Sequence, residues 1–156
     1  MYRGLLVAVA GLVIVASPVG AQQVAHIGKW KLNVAKSKYD PGPPPQSVTR
    51  TFEVFEEDGL KMTSEQVTAD GKRITGGYSA HFDGKDYPVL AITYADTVAL
   101  KRIDANSFEY TLKKNGKVVS TAPVVVSKDG KTMTITSKGT NASGQSVHNV
   151  TVYERE

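Results

Sequence analysis

The chain contains no cysteine. That excludes disulfide staples, thiolate metal sites and a lipid-modified N-terminal cysteine. An exported protein of this kind holds together by packing alone, which suits a bacterial periplasm better than a eukaryotic secretory route. Histidine is scarce: His26, His81 and His148 are the three present. No two stand at metal-ligand spacing, so neither a metal nor a cofactor is expected. There is no Gly-x-Ser-x-Gly elbow and no phosphate-cradling glycine loop, and no catalytic residue is assigned. Helical periodicity is missing throughout. Lysine and arginine number 19 against 15 acids, but they are scattered, many beside turn glycines (Lys72, Lys85, Lys117, Lys131). Nucleic-acid binding wants clustered cations with interleaved aromatics, so nucleic acid is not an expected partner. The long apolar run, Leu5 to Ala16, falls short of the roughly 20 residues that a spanning helix needs, and Pro18 interrupts it. No stable membrane anchor is expected.

That run has another reading. Arg3 supplies a positive n-region, Leu5 to Ala16 an apolar h-region, and Val19-Gly20-Ala21 small residues before a cleavage point. Residues 1–21 read as a secretory signal peptide, which places the mature protein in the periplasm or outside the cell. Residues 22–27 read as a mobile leader and residues 28–156 as one domain, large enough to bury a core without staples.

Turn signals punctuate that domain at near-regular intervals: Asp58-Gly59, Asp70-Gly71, Asp83-Gly84, Asn115-Gly116, Asp129-Gly130 and Ser143-Gly144, with Asp104-Ala105-Asn106 in the one long gap. Asp-Gly and Asn-Gly suit tight hairpins because the central residues take φ > 0. Between the turns lie Val-, Ile-, Thr-, Tyr- and Phe-rich runs with period-2 alternation, nine or ten in number. The expected fold is all-β, an antiparallel up-and-down meander closed into an 8–10-stranded barrel. Lys85–Ile92 is the least regular run, with Pro88 inside it, and reads as a short edge strand or a bend.

Several faces that begin apolar continue with a polar group: Ser64 and Gln66 after Met62, Tyr78 between Ile74 and Ala80, Arg102 after Val98 and Leu100, Tyr110 between Phe108 and Leu112, Asn149 and Tyr153 beside Val147. A buried polar atom without a partner costs about 1–3 kcal/mol. Two arrangements avoid that loss: an interior ligand cavity with a few polar groups, or polar positions at rims where strands leave the core. On the cavity reading Tyr78, Arg102, Tyr110, Phe52, Met62 and Tyr153 contact a ligand. The segment Val34–Gln46 carries Pro41-Gly42-Pro43-Pro44-Pro45, and proline forbids both ladder bonds and a helix interior. It reads as a connector, with a flap over a barrel mouth or a docking strip as the alternatives.

The first and last strands matter together. Gly28-Lys29-Trp30 opens the domain and Val152-Tyr153-Glu154-Arg155 closes it. With a meander between them, the chain resembles the calycins, that is, lipocalins and fatty-acid-binding proteins, and looks most like the small lipocalin-like proteins that bacteria export. The resemblance implies structural roles for Gly28, Trp30 and Arg155: the Trp plugs the closed end and a late basic residue, Arg155 or Arg102, packs across its ring. It implies a barrel that takes a small hydrophobic or amphipathic ligand inside, with no enzymatic activity. There are two departures. Thr151 stands where fatty-acid-binding proteins carry the arginine of an Arg-x-Tyr motif, and the proline segment stands where they carry two capping helices. A second expectation belongs to another class: a packed scaffold that binds a protein partner through the Pro41–Pro45 loop.

Overall fold

A computed structural model describes residues 24–156; the expected signal peptide, residues 1–21, lies outside the described residues. Ten antiparallel strands follow one another: β1 (Gly28–Leu32), β2 (Ser47–Phe55), β3 (Gly59–Val67), β4 (Arg73–His81), β5 (Tyr87–Leu90), β6 (Thr97–Arg102), β7 (Ser107–Lys114), β8 (Lys117–Val126), β9 (Thr132–Thr140) and β10 (Ser146–Arg155). From β2 to β10 each strand pairs with its successor, and β1 pairs with both β2 and β10, so the sheet closes into a barrel. The expected fold is the observed one. The described residues hold ten strands, each paired on both sides, and a hydrophobic core that these strands enclose, so residues 24–156 carry a closed barrel with a core of its own.

The turn chemistry works largely as expected. Gly71, Gly84, Gly116, Gly130 and Gly144 all have φ between 70° and 87°. Asp70, Asp83 and Asp129 each accept within their own turns, from Thr68, the Lys85 amide and Ser127 respectively. Asp58-Gly59 differs: the left-handed residue there is Glu56, and Gly59 already belongs to β3. A side chain at Gly59 would overlap the Phe55 carbonyl, so the glycine serves close approach rather than the turn. Pro88 does sit in a short strand, β5, but that strand is inside the closed wall. It pairs with β4 at Gly77↔Leu90 and Tyr78↔Val89 and with β6 at Tyr87↔Val98 and Pro88↔Thr97.

Period-2 alternation sends one face of every long strand inward. One end of the barrel is filled solid by Trp30, Phe52, Leu60, Leu100, Phe108, Met133 and Ile135, each no more than 2 % exposed. Phe52 and Phe82 both meet Phe108 edge-on, at 6.4 and 5.6 Å between centroids. Burying such side chains contributes roughly 1.5–3 kcal/mol each. The Trp30 indole is covered by Arg155, whose guanidinium carbon lies 4.2 Å from the ring centroid. Arg155 also donates from Nε to the Gly130 carbonyl and from Nη1 and Nη2 to the carbonyls of Ile27 and Ala25, all at 2.7 Å. Gly28 has φ 129°, and a Cβ there would lie 2.6 Å from Arg155 Nη1. The Gly-x-Trp and the closing arginine are thus one interlocked unit.

That unit corrects one expectation. The described part of the leader, residues 24–27, is packed down instead of hanging free. Arg155 holds two of its carbonyls, and Trp30 Nε1 donates to the His26 carbonyl at 2.8 Å. The His26 ring is 1 % exposed and stands edge-on to Phe108 at 4.6 Å.

Neither His26 ring nitrogen has a hydrogen-bond partner. Burial pulls its pKa down to about 4; the Val124 and Asn106 backbones and Asp104 work in the opposite direction, and Arg102 adds to the burial effect. The folded value lies below the ordinary 6.5, so in mildly acidic solution the unfolded chain binds a proton that the folded chain refuses. Stability is therefore complete above pH 6.5 and falls as the pH drops toward the folded pKa. Urea titrations should show this contribution declining by about 2 kcal/mol between roughly pH 6.5 and pH 5, and His26→Leu should lack it. An unchanged pH slope in the variant would sink the assignment.

Gly77 of β4 lies opposite Thr63 of β3. A Cβ there would enter the van der Waals shell of the Met62 carbonyl oxygen. Gly77→Ala should lose about 1–3 kcal/mol in urea denaturation; a loss below the error of the measurement would mean that the strands can separate there without penalty.

Candidate functional site

The other end of the barrel is open inside. A cavity of about 620 Å³ lies there, within the range of small-molecule sites. Its walls come from the mouth halves of the inward faces: Val48 and Arg50 of β2, Gln66 of β3, Tyr110 of β7, Ser120 of β8, Ser137 and Gly139 of β9, and Val147, Asn149, Thr151 and Tyr153 of β10. The cause is a gradient along β8 and β9. On β9 the inward residues run Met133, Ile135, Ser137, Gly139 from the filled end to the mouth, and on β8 they run Val126, Val124, Ala122, Ser120. Large apolar side chains close one end, and small polar ones leave room at the other.

The proline segment lines the mouth, through Pro41, Gly42, Pro43 and Pro45. It is fastened on both sides. Lys38 and Asp40 continue an antiparallel ladder along β10, with Lys38 N to the Val150 carbonyl at 2.7 Å, the His148 amide to the Asp40 carbonyl at 2.7 Å, and the Asp40 amide to Asn149 Oδ1 at 2.9 Å. This covers the half of β10 that the short β1 does not reach. At the far side the Gln46 amide donates to the Val67 carbonyl at 2.9 Å. Of the three readings of this segment, the position matches the flap.

Arg50 is the one charged side chain in the cavity lining, and the lining contains no Asp or Glu. Its Nε is buried without a hydrogen-bond partner, and no carboxylate lies within 4.0 Å of it among the described residues. Its guanidinium carbon sits 5.3 Å from the Tyr153 ring centroid. Burial opposes the charge; the neutral phenols of Tyr153, Tyr110, Tyr78 and Tyr94 lie near it without supplying a counter-charge, and the side chain stays protonated because a guanidinium holds its proton so strongly. Burial raises the Tyr78 and Tyr153 hydroxyl pKa values, and Arg50 works against that rise. Tyr110 Oη and Ser137 Oγ are 3.3 Å apart, and Thr151 Oγ1 donates to the Ile135 carbonyl at 3.3 Å. The site therefore offers one guanidinium and several hydroxyls, converging in a space without acid.

The sequence-derived candidates are distributed as follows. Tyr110 and Tyr153 line the cavity. Tyr78 stands opposite Met62 across β3 and β4; both are buried, and both border a second hollow of about 380 Å³ between β3, β4 and β5. Phe52 belongs to the filled end. Arg102 was expected inward and is not. It ends β6 at the filled end, 4.1 Å over the Phe82 ring, with Nη2 3.6 Å from Asp58. Its alternation with Val98 and Leu100 is correct, but the strand has left the core by residue 102, and a long cationic side chain folds back along an aromatic face to reach water. Arg155, not Arg102, covers Trp30. Arg50, Tyr39 and Tyr94 were missed. Arg50 had a signal: it lies between Val48 and Phe52 on the same alternating face, and only its charge argued against an inward position.

No protein-family model matches the chain, and no curated protein matches it. Solved structures do. Rv2717c from M. tuberculosis aligns with a TM-score of 0.55 at 15% identity, covering 88% of this chain and 98% of that one. The fluorescent protein UnaG aligns with a TM-score of 0.53 at 14% identity, over 83% and 96%. EF1p2_mFAP2b, solved bound to DFHBI, aligns with a TM-score of 0.52 at 8% identity, over 87% and 99%. Likeness at such identities shows the fold alone, and it agrees with the strand order and closure described above: a closed, antiparallel, up-and-down β-barrel.

Proposed function

We propose that this barrel carries a small amphipathic molecule in its mouth cavity, with an anionic group of the ligand on Arg50 and the apolar body against Val48, Tyr110, Val147 and Tyr153. The observation that carries this reading is the unpaired guanidinium. A buried charge is tolerated when it is paired and hydrogen-bonded, and a cavity without acid leaves the pairing to a ligand. The tyrosine hydroxyls and Ser137 add neutral donors around the same point. A protein of similar fold solved bound to DFHBI supports binding as the mode of action. Binding rather than catalysis, and export to the periplasm through the pattern in residues 1–21, are parts of the same proposal.

Two dyes of similar size test it. Anilinonaphthalene sulfonate carries an anion and N-phenylnaphthylamine does not. The sulfonate should bind at least about tenfold more tightly, and Arg50→Met should remove that preference by weakening the sulfonate alone, a charge-assisted hydrogen bond being worth about 1.5–3 kcal/mol. Equal affinities in the unaltered protein would overturn the reading.

Thermal denaturation of the ligand-free protein gives an independent check. A structural arginine is missed when removed; a buried, uncompensated one is not. Arg50→Met should leave Tm unchanged or raise it, by up to about 1–4 kcal/mol of stability. A clear fall in Tm would make Arg50 a structural residue.

A further inference from the structure

The mouth rim carries a second feature, which shares only Tyr94 with the cavity lining. Along its β4-to-β8 arc stand three exposed cations: Lys72 in the β3–β4 turn, Arg73 at the start of β4 and Lys117 at the start of β8. None has a carboxylate within 4.0 Å among the described residues. The two acids on the same arc are already committed. Asp70 is held by the Thr68 hydroxyl, and Asp96 accepts from Lys114 Nζ at 2.7 Å and from the Asn115 amide at 2.8 Å.

Between the cations lie three exposed apolar side chains: Leu90 at 70 % exposure, Val118 at 59 % and Tyr94 at 42 %. Their positions are built in. The Asp96 bonds tie the loop that bears Tyr94 to the β7–β8 turn, beside Lys117 and Val118. A register shift at Leu112/Lys113 pairs Lys113 with Val118 and Leu112 with Ser120, skipping Val119, which turns Val118 outward while Ser120 keeps its place in the cavity. The opposite end has exposed apolar groups too, Val54 and Ile103, and exposed cations in Lys128 and Lys131, but its β2–β3 turn adds the acidic run Glu56-Glu57-Asp58, which no turn on the mouth arc matches. Charge therefore distinguishes the two ends.

We propose that the mouth arc formed by Lys72, Arg73, Leu90, Tyr94, Lys117 and Val118 is a docking surface for an anionic lipid bilayer. The cations meet the phosphate headgroups, the three apolar side chains enter the interfacial layer, and the acidic turn at the far end is repelled, so the barrel lands mouth-down. The opening thereby faces the apolar phase. The surface stands independently of what the cavity holds.

Vesicle co-sedimentation of residues 22–156 tests this, with phosphatidylcholine vesicles containing or lacking phosphatidylglycerol. Binding should require phosphatidylglycerol and weaken with salt. Lys72→Glu with Lys117→Glu should abolish it, each lost cation alone weakening binding about fivefold. Leu90→Ser with Val118→Ser should weaken it, and Val54→Ser with Ile103→Ser, equally exposed at the other end, should leave it intact. None of these residues lines the cavity, so dye binding should be unaffected by any of the pairs. Absence of binding to phosphatidylglycerol vesicles at low salt would overturn the proposal, as would equal weakening by the far-end pair. Salt-sensitive binding to polyglutamate without vesicle binding would also overturn it, and would assign the arc to an acidic protein.

Discussion

Barrel closure rests on a strand of five residues. Among the described strands β1 alone pairs with both β2 and β10, and it reaches only the Tyr153–Arg155 end of β10. So short a ladder is a weak seam by itself, since each net hydrogen bond contributes about 0.5–1.5 kcal/mol. Arg155 reinforces it. One guanidinium covers Trp30, holds two carbonyls of the incoming chain and reaches the β8–β9 turn through Gly130. Gly28 makes this possible by lacking the atom that would occupy the guanidinium's place. The remaining length of β10 is completed by Lys38 and Asp40, so the proline segment is at once the end of the seam and the rim of the cavity.

With one end sealed, the same alternating pattern serves two purposes. Near Trp30 the inward positions are large and apolar, and they pack to exclude water. Toward the mouth the inward positions shrink and become polar, and space remains. No special motif separates core from cavity; side-chain volume and polarity change gradually along β8 and β9. Each polar position finds a neighbour or faces the cavity: Tyr110 meets Ser137, Thr151 meets the Ile135 carbonyl, and Asn149 accepts from the proline segment.

Arg50 breaks the rule that the rest obeys. Local consistency would place an apolar residue between Val48 and Phe52. An ionised side chain at such a position is destabilising unless something neutralises it, and the surrounding phenols supply dipoles but no charge. Departures of this kind from an otherwise consistent sequence mark sites kept for a purpose other than stability.

Much of the fold was determined locally. Glycine-bearing turns at regular intervals and period-2 faces between them suffice for an antiparallel meander, because φ > 0 turns and alternating side chains are properties of a few adjacent residues. The inward faces of β7 to β10 follow from alternation alone, and with them Tyr110 and Tyr153. What only the tertiary structure decided is where each strand stops being core. Arg102 and Arg50 both alternate with apolar neighbours, yet one lies on Phe82 at the sealed end and the other inside the cavity. Alternation gives the face but not the depth, which is set by strand stagger and closure. For the same reason the proline segment became a rim and the leader a packed lid: each is held by strands more than 100 residues away in the chain, and no local pattern carries such information.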